Sequence, residues 1–265
     1  MCRIATSYML IIKEGETVEL SKFYFKEISR ESAKDTLMNK HYLKRMPPLS
    51  YAFGAYYDGK LKGVMTFGKP PSNALCVGVC GEDYSNNVIE LNRLYTDDDT
   101  PRNLESMFIS YALKELKKVG KFIIISYADE GMNHCGYIYQ ATNWIYTGLS
   151  AKRTDVYVGE NGHSRTYTQE QKEFPVRKIR SKKHRYIYIV GSKSFKNGVI
   201  RSIKYPIINE YHKSEVKHYT VGEGIDNTLY NEHTGATFKE CDFINNPLDY
   251  ITDDEYKKYL AIYTK

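Results

Sequence analysis

A strand, a capped helix and a second strand follow one another between Val88 and Asp129, and few folds accommodate that order. "VIELNRLYT" reads as a strand, "TPRNLESMFISYALKELKKVG" as a helix, and "KFIIISYAD" as a strand with no polar alternation. Thr100 suits the helix N-cap and Pro101 the first helical position. Leu104, Met107, Phe108, Tyr111, Leu116 and Val119 keep one apolar face. Lys117 and Lys118 fall in the last turn, where cations offset the helix dipole, and Gly120 closes it. This is a βαβ unit with a right-handed crossover. The unbroken apolar strand belongs at the centre of a mixed sheet with helices on both faces. Ligands in such sheets sit beyond the carboxyl ends of the strands.

The other elements fit around that unit. "SYMLII" and "KFYFKEIS" read as strands. Ser29 or Ser32 can cap a helix through "ESAKDTLMNKHYLKR", which Pro47 and Pro48 end. Asp58-Gly59 between two apolar runs predicts a hairpin. "KPPSNALCVGVCGEDYSNN" reads as a loop and a short strand, with Cys76 and Cys80 alternating with Val77 and Val79. "MNHCGYIYQATNW" is a short helix and "IYTGLS" a strand. Residues 151–183 are charged and irregular, and "RYIYIVG" is a further strand. The pattern weakens from Ser192, until "TDDEYKKYLAIYTK" suggests a terminal helix. The expected organisation is one domain over 1–204 and a C-terminal extension over 205–265.

Composition excludes several classes. The longest apolar runs are strand-sized, so no membrane span is expected. The N-terminus lacks a cleavage site of small residues and reads as a strand, not a signal peptide. Five cysteines without zinc-knuckle spacing predict reduced thiols in a cytoplasmic compartment. The net charge of +6 is modest, but "RKIRSKKHR" concentrates it at Arg177, Lys178, Arg180, Lys182, Lys183 and Arg185. Such a run is either a solvated loop or a contact for a nucleic-acid backbone.

Four groups of residues bear on chemistry. At the start of the long helix, free N–H groups of Arg102, Asn103 and Leu104 would suit a phosphate. An ordinary capped terminus is the alternative, three aspartates lie just upstream, and there is no glycine-rich loop. His41 and Tyr42 stand before two prolines, as a surface cap or a catalytic pair. In "ELNRLY", alternation puts Glu90 and Asn92 on one face and Leu91 and Arg93 on the other. A strand arginine needs an anionic partner, structural or functional. Ser126 and Asp129 stand at the carboxyl end of the apolar strand, followed by His134, Tyr139, Gln140, Asn143 and the single Trp144. A carboxylate there can act as a general base or hold a metal.

Together, "HYLKRMPP", "FGAYYDGKLKGVMTFGKPPS", "IELNRLY", "PRNLESMFISYAL" and "IIISYADEGMNHCGYIYQATNWIYTG" resemble, in order, the Mom family of phage DNA-modification proteins. The resemblance covers roughly residues 25–150. It implies an α/β fold like that of GCN5-related N-acetyltransferases, a mixed central sheet with flanking helices. It implies modification of adenine N6 in duplex DNA to a carbamoylmethyl-type group, and protection from host restriction. It suggests acetyl-CoA and iron as candidate cofactors. By position, the family pattern marks Tyr42, Arg93, Ser106, Ser126, Asp129 and Tyr139, with His41 beside the first. Arg102, Asn103 and Ser106 would meet the cofactor. Asp129, Tyr42 and Tyr139 would form the reacting centre, and Asp129 with Tyr42 and Tyr139 or His41 would hold iron, which hard oxygen donors suit.

The chemistry exceeds plain acyl transfer. The N6 lone pair is delocalised into the ring, and the base must be flipped out of the stack. A carbamoylmethyl product joins N6 to a CH2 carbon, whereas acyl transfer joins it to a carbonyl carbon. Two other readings compete: an ordinary acetyl-CoA-dependent N-acyltransferase on a small amine or protein, and a non-catalytic DNA-binding phage protein.

Overall fold

The computed structural model describes residues 18–41, 44–132, 134–151, 153–157, 168–211 and 228–263. The strand expected at "SYMLII" lies outside them.

The chain begins with strand β1 (Tyr24–Glu27) and helix α1 (Arg30–Asn39). Ser29 caps α1, its hydroxyl accepting from the Ser32 N–H at 3.2 Å. The helix stops at Asn39, short of the expected run to Arg45. Strands β2 (Tyr51–Tyr57) and β3 (Lys60–Gly68) form the expected hairpin. Asp58 and Gly59 both have positive φ, 47° and 72°, as its two-residue turn requires.

Next come α2 (Asn73–Cys80) and α3 (Glu82–Ser85), where the sequence suggested a loop and a strand. The alternation of Cys76 and Cys80 with valines misleads here. Cys76, Val79 and Cys80 are the buried residues, at helical i, i+3, i+4 spacing. The βαβ unit follows as β4 (Val88–Thr96), α4 (Leu104–Val119) and β5 (Phe122–Asp129), and then α5 (Tyr137–Ala141) and β6 (Ile145–Leu149). The stretch expected to be irregular contains β7 (Arg153–Val156), α6 (Gln169–Lys172) and β8 (Val176–Arg180). The chain continues with β9 (Lys183–Val190), α7 (Lys193–Ser202), β10 (Thr228–Asn231), β11 (Thr237–Lys239), α8 (Glu240–Asn245) and the terminal α9 (Asp253–Tyr263).

These elements fall into two compact units, one within residues 1–128, 136–148 and 185–212, the other within 129–135, 149–184 and 213–265. The first is built on a seven-stranded mixed sheet, ordered β1-β2-β3-β4-β5-β9-β6. Strands β1 to β4 pair antiparallel, and β4 and β5 pair parallel. One face packs Ile124 of β5 with Phe108, Ile109 and Leu116 of α4. The other packs Ile123 and Ile125 with Cys76 and Val79 of α2 and Val199 of α7. β5 is therefore apolar because both its faces are covered.

The second unit holds an antiparallel sheet ordered β11-β10-β8-β7. Leu229 and Phe238 of that sheet pack with Phe243 of α8 and Ile251. Strands within residues 228–239 thus share a sheet with strands within residues 153–180. Among the described residues, no helix is long and apolar enough to cross a membrane.

Candidate functional site

The parallel pairing of β4 and β5 runs from Val88–Ile123 to Glu90–Ile125 and then stops. Ser126 stands at this parting. Its hydroxyl lies 2.9 Å from the Leu91 carbonyl and 2.8 Å from the Tyr139 hydroxyl. Both side chains are buried, Ser126 at 1% and Tyr139 at 6% exposure. Ser126 has one proton, and a carbonyl can only accept. With the Ser126 proton given to Leu91, the Tyr139 O–H donates to Ser126, and the phenol oxygen keeps acceptor capacity.

Gly136 launches α5 and so places Tyr139. Its φ is 81°, and a Cβ there would sit 2.3 Å from the Tyr186 ring. The Tyr139 ring is 5.0 Å from Trp144 and 5.1 Å from Tyr186, which itself lies 5.1 Å from Tyr146. Gln140 Nε2 donates to the Tyr186 hydroxyl at 3.0 Å. Tyr139, Trp144, Tyr146 and Tyr186 thus form a packed ring cluster, in which the Tyr139 hydroxyl meets Ser126 and the Tyr186 hydroxyl meets Gln140.

Arg93 does not keep the face that simple alternation assigns. Thr66 pairs with Arg93 and Phe67 with Leu91, so Asn92 is the extra residue of a β-bulge. Asn92 accepts from Thr66 Oγ1 at 2.6 Å and donates to the Pro48 carbonyl at 2.7 Å. Arg93 Nη1 donates to the Asn92 carbonyl at 2.5 Å. His41 is 5% exposed. Burial, aided by the Arg93 charge, pushes its pKa down to about 4. It is a neutral imidazole at physiological pH. Tyr42 lies outside the described residues.

The turn into α4 differs from the expected cap. Asn103, not Thr100, is the N-cap, in the left-handed region at φ 73° and without a side-chain cap bond. The Leu104 N–H is taken by the Pro101 carbonyl at 3.2 Å, and Ser106 Oγ donates to the Asn103 carbonyl at 2.9 Å. Arg102 is exposed. The upstream aspartates are offset: Lys40 reaches Asp97 at 2.8 Å and Lys62 reaches Asp99 at 2.5 Å. Glu105, which the sequence reading passed over, is driven toward its neutral form by burial, against a hydrogen bond from Thr96. Its place in an amphipathic helix gave no sign of this.

Asp129 ends β5 in the second unit, and both its oxygens are occupied. Oδ1 accepts from the Gly131 N–H at 3.0 Å and from the Ser181 hydroxyl, and Oδ2 lies 2.9 Å from Lys183 Nζ. Burial alone would raise its pKa, but Lys183, Ser181 and Gly131 outweigh it and hold the carboxyl ionised. Ser181 and Lys183 are partners that sequence reasoning did not assign to Asp129. They stand more than fifty positions away, inside a run read only for its charge.

That run is not a free basic patch. Arg177 makes a bidentate pair with Glu232 at 2.8 and 2.6 Å. Lys178 pairs with Glu240 at 2.7 Å, and Arg180 with Asp155 at 3.3 Å. Arg185 is buried, bonded to Thr147 and stacked 3.3 Å over the Tyr205 ring. Lys182 is exposed, with no carboxylate partner among the described residues. The iron set fits no better. Asp129 meets an ammonium and two donors, the Tyr139 hydroxyl is bonded to Ser126, and Tyr42 lies outside the described residues. Among the described residues, no three of His, Cys, Asp and Glu group as metal ligands.

The arrangement defines a mixed α/β protein in which the Ser126 and Tyr139 hydroxyls meet where two central parallel strands separate. Residues 22–207 match the Mom protein family, and the chain belongs to that family. The methylcarbamoylase mom of Escherichia phage Mu is 33% identical over 151 residues, 55% of this chain and 63% of the phage protein. The chain thus spans less than two thirds of that relative's length. Similar solved structures include an N-acetyltransferase from Staphylococcus aureus Mu50, 14% identical, with a TM-score of 0.40 over 64% of this chain and 99% of that one. Another is the ribosomal-protein-S18-alanine N-acetyltransferase of Escherichia coli, 10% identical, with a TM-score of 0.40 over 64% and 95%.

Proposed function

We propose that this chain modifies the exocyclic N6 amine of adenine in duplex DNA, leaving a carbamoylmethyl-type group that protects phage DNA from host restriction. Membership of the Mom family and the name of the phage Mu relative support this reading. The observation that carries it is the Ser126–Tyr139 hydrogen bond at the parting of β4 and β5, inside the family-matched stretch.

The target base leaves the stack, at a cost of a few kcal/mol. The Tyr139 oxygen accepts a hydrogen bond from the N6 amine, and Ser126 fixes its direction. Asp129, in the second unit, remains ionised and acts as an acceptor for the same class of N–H group. His41, neutral beside Arg93, adds no charge that would repel the guanidinium.

The α4 turn fits a phosphate-bearing acyl-CoA. Arg102 supplies charge, and Asn103 and Ser106 shape a terminus whose Glu105 and Ser106 N–H groups have no acceptor among the described residues. When bound, the cofactor would supply a two-carbon unit; simple transfer of its acyl carbon to N6 would give an amide and not the N6–CH2 bond of a carbamoylmethyl group. That turn alone would equally suit an ordinary N-acyltransferase, which would work without DNA. The two readings separate by mass spectrometry of nucleosides from plasmid DNA of expressing cells. A deoxyadenosine heavier by a carbamoylmethyl group supports the proposal. Unmodified adenine, with soluble folded protein, contradicts it.

A further inference from the structure

We infer that Lys183, with Ser181 and Gly131, is a positioning device for the Asp129 carboxylate and not a contact for the DNA backbone. The inference rests on the reading of Asp129 as a residue of the modification reaction and assigns it partners from a distant segment. In the sequence Lys183 is one of six cations of equal standing. In the structure it is set apart by what holds it.

The Lys183 backbone is clamped on both sides: its N–H donates to Ser150 Oγ at 3.0 Å, and its carbonyl accepts from the Ser150 N–H at 2.8 Å. The neighbouring Lys182 carbonyl accepts from the Glu130 N–H at 3.1 Å. The 181–183 turn is therefore tied directly to the residues that follow Asp129. From this fixed base the Lys183 ammonium reaches Oδ2 at 2.9 Å. Ser181 and the Gly131 N–H hold Oδ1. Gly131 admits no side chain, because a Cβ there would come 2.7 Å from Ser181 Cβ. The carboxylate is thus gripped at both oxygens by three donors, two of them on one short turn.

The arrangement has a chemical purpose in an amine-modifying reaction. A carboxylate free to rotate offers its lone pairs in many directions. One fixed at both ends presents its remaining lone pairs in one direction, ready for a substrate N–H. The charge-assisted bond from Lys183 also keeps the group an acceptor and not a donor. Lys183 is two-thirds buried, so it is partly withdrawn from a backbone phosphate. A lysine spent on a carboxylate adds little net charge for DNA.

The test compares purified wild type, Lys183→Met, Lys183→Gln and Lys183→Arg in three measurements. These are thermal melting, duplex-DNA affinity across a salt series, and modified adenine in plasmid DNA from expressing cells. Positioning predicts that Lys183→Met and Lys183→Gln bind duplex as wild type does, with an unchanged salt slope, while modification falls about 100-fold. Lys183→Arg, which keeps the cation, restores much of it. A backbone contact would instead lower the salt slope by about 1 and weaken binding in both neutral variants. That result overturns the inference, as does wild-type modification by a folded Lys183→Gln protein. A wild type that leaves adenine unmodified overturns the functional reading first, and the inference with it.

Discussion

Ser126 Oγ stands 2.8 Å from the Tyr139 hydroxyl, thirteen positions along the chain, at the level where β4 and β5 cease to pair. The same oxygen is 2.9 Å from the Leu91 carbonyl, so one serine links both strands and the following helix. Ser126→Ala leaves a buried carbonyl and a buried phenol each short of a partner. The expected cost is about 1–3 kcal/mol in urea unfolding. Tyr139→Phe leaves the Ser126–Leu91 bond intact and costs about 1 kcal/mol. The two variants should therefore rank in that order.

Gly68 is sterically required. A Cβ there would lie 2.0 Å from the Pro48 carbonyl oxygen, which also receives the Asn92 amide at 2.7 Å. Gly68→Ala must push the 46–49 segment away and break that bond. We expect a loss of about 1–3 kcal/mol, read as a lower urea midpoint. An unchanged midpoint would show that the segment yields freely.

His41 gives stability a defined pH dependence. Its folded pKa is depressed from 6.5 to about 4, so between those values the unfolded chain binds more protons than the folded one. Its contribution is fully present above about pH 6.5 and is lost as pH falls through about 4. His41→Gln should flatten the stability profile across that window relative to wild type. An identical slope in the variant would contradict burial of a neutral imidazole.

The basic segment should contribute little charge to DNA binding beyond Lys182. Lys182→Gln is expected to lower the salt slope of duplex binding by about 1. Arg177→Gln should leave the slope unchanged and instead destabilise slightly, by less than about 1 kcal/mol, through loss of the Glu232 pair. Equal slope changes in the two variants would restore the run to the role its charge suggests.

Local chemistry made several elements legible. Asp58-Gly59 announced its hairpin, Ser29 its helix, and the apolar β5 its central place, because each signal is carried by neighbours in sequence. The α2 helix was not legible. Its eight residues are too apolar throughout for a period to show, and two cysteines four apart fit a strand or a helix. The Asn92 bulge escaped because it depends on the register with β3. The pairing of Asp129 with Lys183 escaped for the same kind of reason: "RKIRSKKHR" shows how many cations there are but not which carboxylate each meets. Of the candidate residues that the sequence singles out, Ser126 and Tyr139 meet in the structure. The partners of Asp129, Ser181 and Lys183, are not legible in the sequence.

The most direct measurement is nucleoside mass spectrometry of plasmid DNA from cells expressing wild type and Tyr139→Phe at equal soluble levels. We predict a deoxyadenosine heavier by a carbamoylmethyl group with wild type, and its near absence with Tyr139→Phe. An equal amount of that nucleoside with both proteins would contradict a reacting role for the Ser126–Tyr139 pair, and its absence with both would contradict the proposed modification itself.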